Sequence, residues 1–187
     1  MEQKIELIVS GLGGQGLLTT GWLLAEAAMS KYRHVLFFPN YGPMMRGGDS
    51  ECTVILSNED IGSPAVYNPT SAIVMSAGAL SQLENRLKSG GMMFLDSTII
   101  SAEVSREDLK VFCIPATKVA MELGGRQAAN LVLLGAYVEA TRAVSLESVE
   151  EMMKKRLKGS RGEALVSLNK KALREGARLI ANYQPAG

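Results

Sequence analysis

Six consecutive residues, Gly11-Leu-Gly-Gly-Gln-Gly16, lie between an apolar run, Ile5–Val9, and an amphipathic helical pattern that begins directly after them. A glycine-rich turn joining a strand to a helix suits an anion. The first backbone N–H groups of the helix have no internal partner, and the helix dipole favours negative charge there. Gly11 and Gly13 permit positive φ and close backbone approach, Gly14 extends the cradle, and Gly16 allows tight helix–strand contact. The side chains of Gln15, Thr19 and Thr20 offer further donors. A tight turn without a ligand is the plainer alternative. A dinucleotide site would also place an acid near the end of the second strand to bind a ribose hydroxyl. Here the second apolar run, Val35–Phe38, ends in Pro39-Asn40-Tyr41-Gly42-Pro43, with no acid.

That second loop, residues 39–50, carries two prolines, three glycines and an arginine, so its backbone is closely specified. Gly47 and Gly48 offer neighbouring N–H donors, and Arg46 offers a planar fork for a phosphate or carboxylate. In a parallel sheet this loop leaves the carboxyl end of the second strand beside the glycine turn, where such folds bind ligands. Arg46 could instead cap helix carbonyls or pair with Asp49.

Other chemistries are poorly supplied. The 187 residues carry 20 basic and 19 acidic side chains, a net charge of +1, which gives no global field for nucleic acid or an anionic membrane. Aromatic residues make up only 5%, which argues against a base-stacking surface. His34 is the single histidine and Cys52 and Cys113 are the two cysteines, too few for a structural zinc site or an iron–sulfur cluster. Both cysteines fall in apolar strand patterns and are expected as buried free thiols, and His34 as a solvated turn residue. Neither a metal site nor a catalytic dyad is expected. No stretch reads as a membrane span or a secretory leader, so a cytoplasmic location is expected.

The elements that must position these loops follow from apolar periodicity. Strand-length runs recur at Ile5–Val9, Val35–Phe38, Cys52–Leu56, Ala72–Met75, Met92–Leu95 and Val111–Ile114, several without alternation, as in strands buried on both faces. Helical patterns cover Gly16–Met29 and Gly78–Lys88, the second stopped by Gly90-Gly91. From Pro115 onward the chain is mostly helical. Arg126–Ala140 is rich in small residues, Ser145 is placed to cap a helix ending near Lys158, and Gly162–Tyr183 carries one apolar stripe. The alternation predicts one α/β domain over residues 1–187 with a largely parallel sheet, a strand–helix core over about 5–140 and a helical part over about 145–183. Met44-Met45 sits in the second loop, where thioethers suit a contact surface.

Together, Gly11-x-Gly-Gly-Gln-Gly16 and Pro39-x-Tyr-Gly-Pro-x-Met-Arg-Gly-Gly48 resemble the gamma subunit of the 2-oxoacid:ferredoxin (acceptor) oxidoreductases. Ile61-Gly-Ser-Pro64 resembles that family's I-x-S-P segment, and Asn130-Leu-Val-Leu-Leu-Gly-Ala136 its N-x-x-x-x-G-A helix. One position departs: Met44 stands where the family loop commonly has an acid. The resemblance implies a single Rossmann-like three-layer domain acting as one subunit of a thiamine-diphosphate enzyme. That complex decarboxylates a 2-oxoacid (2-oxoglutarate, pyruvate or a branched-chain oxoacid) to an acyl-CoA and passes electrons to ferredoxin. It implies alpha, beta and ferredoxin-like delta partners that carry thiamine diphosphate, magnesium and iron–sulfur clusters, and an isolated chain without activity. For this chain it implies coenzyme A binding or active-site closure. Gly11, Gly13, Gly14 and Gly16 would cradle the anion, Gln15 would make polar contact, and Arg46, Gly47 and Gly48 would pair with it. Tyr41 would shape the second loop, and Asn130 would bond locally or tie its helix to a loop. The competing expectation is a stand-alone nucleotide-binding module.

Overall fold

A computed structural model describes residues 4–41, 49–156 and 160–181. Its centre is a six-stranded sheet of β1 (Ile5–Leu12), β2 (His34–Tyr41), β3 (Asp49–Ser57), β4 (Ser71–Val74), β5 (Met92–Asp96) and β6 (Lys110–Ile114), in the order β2-β3-β1-β4-β5-β6. Each expected apolar run is a strand. β1 pairs parallel to β4, β4 to β5 and β5 to β6. β3 lies antiparallel between β1 and β2. The sheet is therefore mixed, with its parallel part on one side. Only residues 42–48 join β2 to β3, too short a stretch for the crossover that a parallel pair needs.

α1 (Leu17–Ala28) and α4 (Ala129–Thr141) cover one face of the sheet. Their core includes Leu7 and Val9 of β1, Val54 and Leu56 of β3, Ile73 of β4 and Phe94 of β5. α3 (Ala116–Glu122), α5 (Leu146–Arg156) and α6 (Ser160–Ala181) pack around α4 and α1 on the same side. The other face is covered by α2 (Ala77–Leu83) and the segment after β5, through Ile8, Ala72, Val74, Leu80, Leu83, Met93, Leu95 and Ile100. The result is the expected three-layer α/β arrangement. α2 is shorter than its periodicity suggested. It starts where Ser76 accepts a hydrogen bond from the Ala79 N–H at 3.1 Å, and a turn follows after Leu83. Ser145 caps α5 as expected, accepting from the Ser148 N–H at 3.1 Å. Cys113 departs from expectation. Cys52 is buried, but Cys113 is exposed because β6 is an edge strand.

Residues Ala129–Val138 of α4 are all buried, because sheet, α1, α3 and α6 surround the helix. Its approach to α6 is set by two glycines. A Cβ on Gly135 would run into the Leu173 carbonyl oxygen, and one on Gly176 would run into the Val132 carbonyl oxygen. The two helices therefore touch backbone to backbone. Gly135→Ala is expected to destabilise the fold by about 1–3 kcal/mol, the usual scale of overpacking against rigid backbone. Gly62→Ala, where nothing lies within 4 Å of an added Cβ, should stay within about 0.5 kcal/mol of the parent. Urea unfolding of the two variants against the parent chain measures both, and equal midpoints would refute the close-contact account.

Candidate site at the carboxyl edge of the sheet

β1 and β4 are adjacent and parallel, yet the chain leaves β1 toward β2 and leaves β4 toward β5. The crevice beyond their carboxyl ends is where open α/β sheets bind ligands. The glycine turn occupies that crevice. Gly14 (φ 97°) and Gly16 (φ 78°) adopt left-handed backbone, whereas Gly11 and Gly13 do not, contrary to expectation. Gly11 is instead the expected point of close approach. It pairs with Ser50 inside the sheet, and an added Cβ there would meet the Gln15 side chain and, at 2.9 Å, Met75 Cβ. An added Cβ on Gly14 would meet nothing within 4 Å, so the outer face of the turn is open.

Gln15 works inward. Its Oε1 accepts from the Leu12 N–H at 2.6 Å and its Nε2 donates to the Met75 carbonyl at 2.7 Å, clamping the turn to the end of β4. Asn130, 4% exposed, ties the first turn of α4 to the start of α1. Its Nδ2 lies 3.0 Å from the Gly16 carbonyl and 3.1 Å from Thr20 Oγ1. This is the helix-to-loop bond among the roles considered for it. The contact is close enough that a Cβ on Gly16 would sit 2.7 Å from Asn130 Nδ2. α1 begins at Gly16 with no side-chain cap, so its leading N–H groups have no side chain competing for them.

A cavity of about 290 Å³ opens beside the turn, lined by Gly14, Gln15, Met75, Thr117, Arg126, Gln127 and Ala129. α4, whose start also lacks a side-chain cap, begins at its wall. Arg126 and Gln127 lie in the single 3-10 turn that leads into α4, and both are exposed. Arg126 has no ion pair among the described residues. It is the cationic handle that the sequence reading did not single out. The available signal was its place at the start of the small-residue helix, just after Gly124-Gly125. Thr117 is committed elsewhere. Its N–H donates to the fully buried Asp96 at 3.1 Å and its Oγ1 at 2.5 Å, and the Thr98 N–H donates to the same carboxylate at 3.2 Å. Asp96 thereby fixes the α3 end of the cavity wall.

Arg46, Gly47 and Gly48 lie outside the described residues, and Tyr41 is described only as the last residue of β2. The strand register still locates the second loop. Tyr41 pairs with Ser50, and Ser50 pairs with Gly11, so the loop springs from the same edge as the glycine turn. β3 stands between β2 and β1, and the end of β2 lies one strand farther from the turn than in a dinucleotide fold. No group of three or more His, Cys, Asp or Glu among the described residues is placed to hold a metal ion. Burial pushes the Cys52 thiol up to about 12, and it donates to the Leu17 carbonyl at 3.5 Å. No described helix is long and apolar enough to cross a membrane.

Residues 6–179 match the pyruvate ferredoxin/flavodoxin oxidoreductase family. The chain is 34% identical over 175 residues to the ketoisovalerate oxidoreductase subunit VorA of Methanothermobacter thermautotrophicus, covering 93% of itself but 36% of that subunit. It thus spans about a third of the length of that relative. It is 36% identical to the 2-oxoglutarate synthase subunit KorC of the same organism, covering 82% of this chain and 85% of KorC. With the common gamma subunit of the pyruvate/ketoisovalerate oxidoreductases of Thermococcus litoralis it shares 31% identity over 96% of this chain and 99% of that one. Among solved structures, the gamma subunit of a keto/oxoacid ferredoxin oxidoreductase from Geobacter sulfurreducens superposes with a TM-score of 0.81 at 29% identity. That match covers 96% of this chain and 99% of the other. The fold also recurs in the 2-oxoglutarate:ferredoxin oxidoreductase of Magnetococcus marinus, with a TM-score of 0.88 at 22% identity over 100% of this chain and 32% of that one. With the fold and these relatives in agreement, the chain belongs to the pyruvate ferredoxin/flavodoxin oxidoreductase family, and it is similar along nearly its whole length to gamma subunits of 2-oxoacid:ferredoxin oxidoreductases.

Proposed function

We propose that this chain is the subunit of a multi-subunit, cytoplasmic 2-oxoacid:ferredoxin oxidoreductase that binds coenzyme A through its phosphates and closes the active-site region. The observation that carries this reading is the open outer face of Gly14, beside the uncapped start of α1 and Arg126, which has no ion pair among the described residues, on a cavity at the carboxyl ends of β1 and β4. These features suit a phosphate: backbone donors, a favourable dipole and a planar fork of N–H groups. Gly13 and Gly14 would present backbone N–H groups, Gln15 and Asn130 would hold the turn rigid, and Arg126 would neutralise charge. Arg46, Gly47 and Gly48 would approach from the second loop, with Tyr41 at its root. Bound coenzyme A supplies the thiol that accepts the acyl group. Thiamine diphosphate, magnesium and iron–sulfur clusters are assigned to alpha, beta and ferredoxin-like delta partners, with ferredoxin as acceptor and the isolated chain inactive. The Magnetococcus enzyme, about a third of whose chain shares this fold, is described with coenzyme A and succinyl-CoA bound. We assign the whole chain to one domain.

In the assembled complex, Arg126→Ala is expected to raise KM for coenzyme A by about tenfold, the scale of one charge-assisted hydrogen bond, with KM for the 2-oxoacid unchanged. Steady-state kinetics with each substrate varied in turn checks this, and an unaltered coenzyme A dependence would sink the assignment of Arg126. Arg46→Ala should likewise weaken the coenzyme A dependence while the subunits still co-purify. Weakened assembly at unchanged KM would make the second loop a docking element only. Thermal-shift titration of the full chain with coenzyme A and with NADH separates the competing function: stabilisation by NADH alone would indicate a stand-alone nucleotide module.

A further inference from the structure

The opposite edge of the sheet holds a second, larger cavity, about 450 Å³, at the amino ends of β1, β4, β5 and β6. Five cationic side chains line it: Lys4, Lys31, Lys88, Lys110 and Arg142. Among the described residues, no acidic side chain is in the lining. They come from five places in the chain: just before β1, just after α1, the turn after α2, the start of β6 and the carboxyl end of α4. A solvated helical face would put such charges on one element. Here separate elements converge on a concavity, in a chain whose net charge is only +1.

Most of these charges are already placed. Lys4 and Lys88 both pair with Glu6, at 2.8 and 3.1 Å, and Arg142 pairs with Glu139. Lys31 donates to the Arg142 carbonyl at 2.9 Å and stands 5.5 Å from the Tyr32 ring centroid, so no carboxylate among the described residues neutralises it. Lys110 has no side-chain partner among the described residues. Backbone bonds hold the rim. The Lys88 N–H donates to the Pro69 carbonyl at 3.0 Å, the Gly90 N–H to the Asp108 carbonyl at 3.0 Å, and the Lys110 N–H to the Gly91 carbonyl at 2.9 Å. Two buried hydroxyls, Ser71 Oγ and Tyr137 Oη, form part of the lining and lie 3.4 Å apart. With Glu6 and Glu139 counted, a surplus of three positive charges faces the cavity.

We propose that this amino-edge cavity is a second binding site, for a small multiply charged phosphate ligand of the diphosphate class. Lysine ammoniums are compact point charges with freely turning donors, and several of them arranged around a concavity suit a compact polyanion. The volume falls within the range of small-molecule sites. The site is distinct from the coenzyme A reading, which concerns the other edge of the sheet.

The test uses the 15N-labelled full chain with inorganic pyrophosphate as probe, followed by amide chemical shifts at physiological ionic strength. Saturable shifts are expected at Lys88–Met92 and Lys110. Lys110→Gln should weaken that binding by about tenfold, Lys110→Arg should largely restore it, and Arg126→Ala should leave it unchanged. Lys110 is on an edge strand and makes no side-chain bond to the described residues, so these variants should fold. Shifts confined to residues 13–18 would overturn the proposal, as would equal responses to orthophosphate or citrate. Binding of poly-glutamate without binding of pyrophosphate would also overturn it, assigning the cavity to an acidic protein segment.

Discussion

The carboxyl-edge site depends on one carboxamide. Gln15 accepts from Leu12 on its own turn and donates to Met75 at the end of β4. A carboxamide offers an acceptor and a donor side by side in one planar, uncharged group. A glutamate here could accept from Leu12 but would set a carboxylate against the Met75 carbonyl. The clamp holds the glycine turn across the β1–β4 junction, and from that position follow the direction of α1, the exposure of Gly14 and the cavity mouth. It also accounts for Gly11, because any side chain there would occupy the volume of the clamp.

This division of labour changes how the turn is understood. Its polar side chains are spent on architecture, and what remains for a ligand is backbone, dipole and the neighbouring Arg126. That is consistent with phosphate recognition, where main-chain donors and a guanidinium suffice. The nucleotide alternative loses ground for a geometric reason. The acid that would bind a ribose belongs at the end of the strand beside β1, and that neighbour is β3, which runs the other way and begins at this edge.

Much of the fold was legible, because strands buried on both faces and helices with stripes leave their period in the sequence. The six apolar runs and the cap at Ser145 were of this kind, whereas the helix expected to run to Gly90-Gly91 ends at Leu83. Strand direction was not legible from the runs themselves. Between Phe38 and Cys52 the sequence leaves room for a crossover, and only the extension of β2 to Tyr41 and of β3 back to Asp49 shortens the connection to residues 42–48 and forces the antiparallel pair. Cys113 was misplaced because an apolar run does not reveal whether its strand lies at an edge. The site was legible only in part. Glycines announce a turn but not which of them takes positive φ. Arg126 sits more than a hundred residues from the turn and joins it only through the packing of α4 against α1.

That packing explains why Asn130 and Gly135 belong to one motif. Five residues along a helix turn it through about 140° beyond a full revolution, so the two positions point to different neighbours. Asn130 reaches α1 and the glycine turn, and Gly135 admits the α6 backbone. A helix held on both sides in this way has no apolar face free to slide, and its first turn carries the cavity wall at Ala129 with Arg126 just before it. The position of Arg126 relative to Gly14 is therefore a consequence of the α4–α6 contact as much as of the loop. Loosening that contact at Gly135 or Gly176 would displace the cation from the glycine turn without touching a residue of the site.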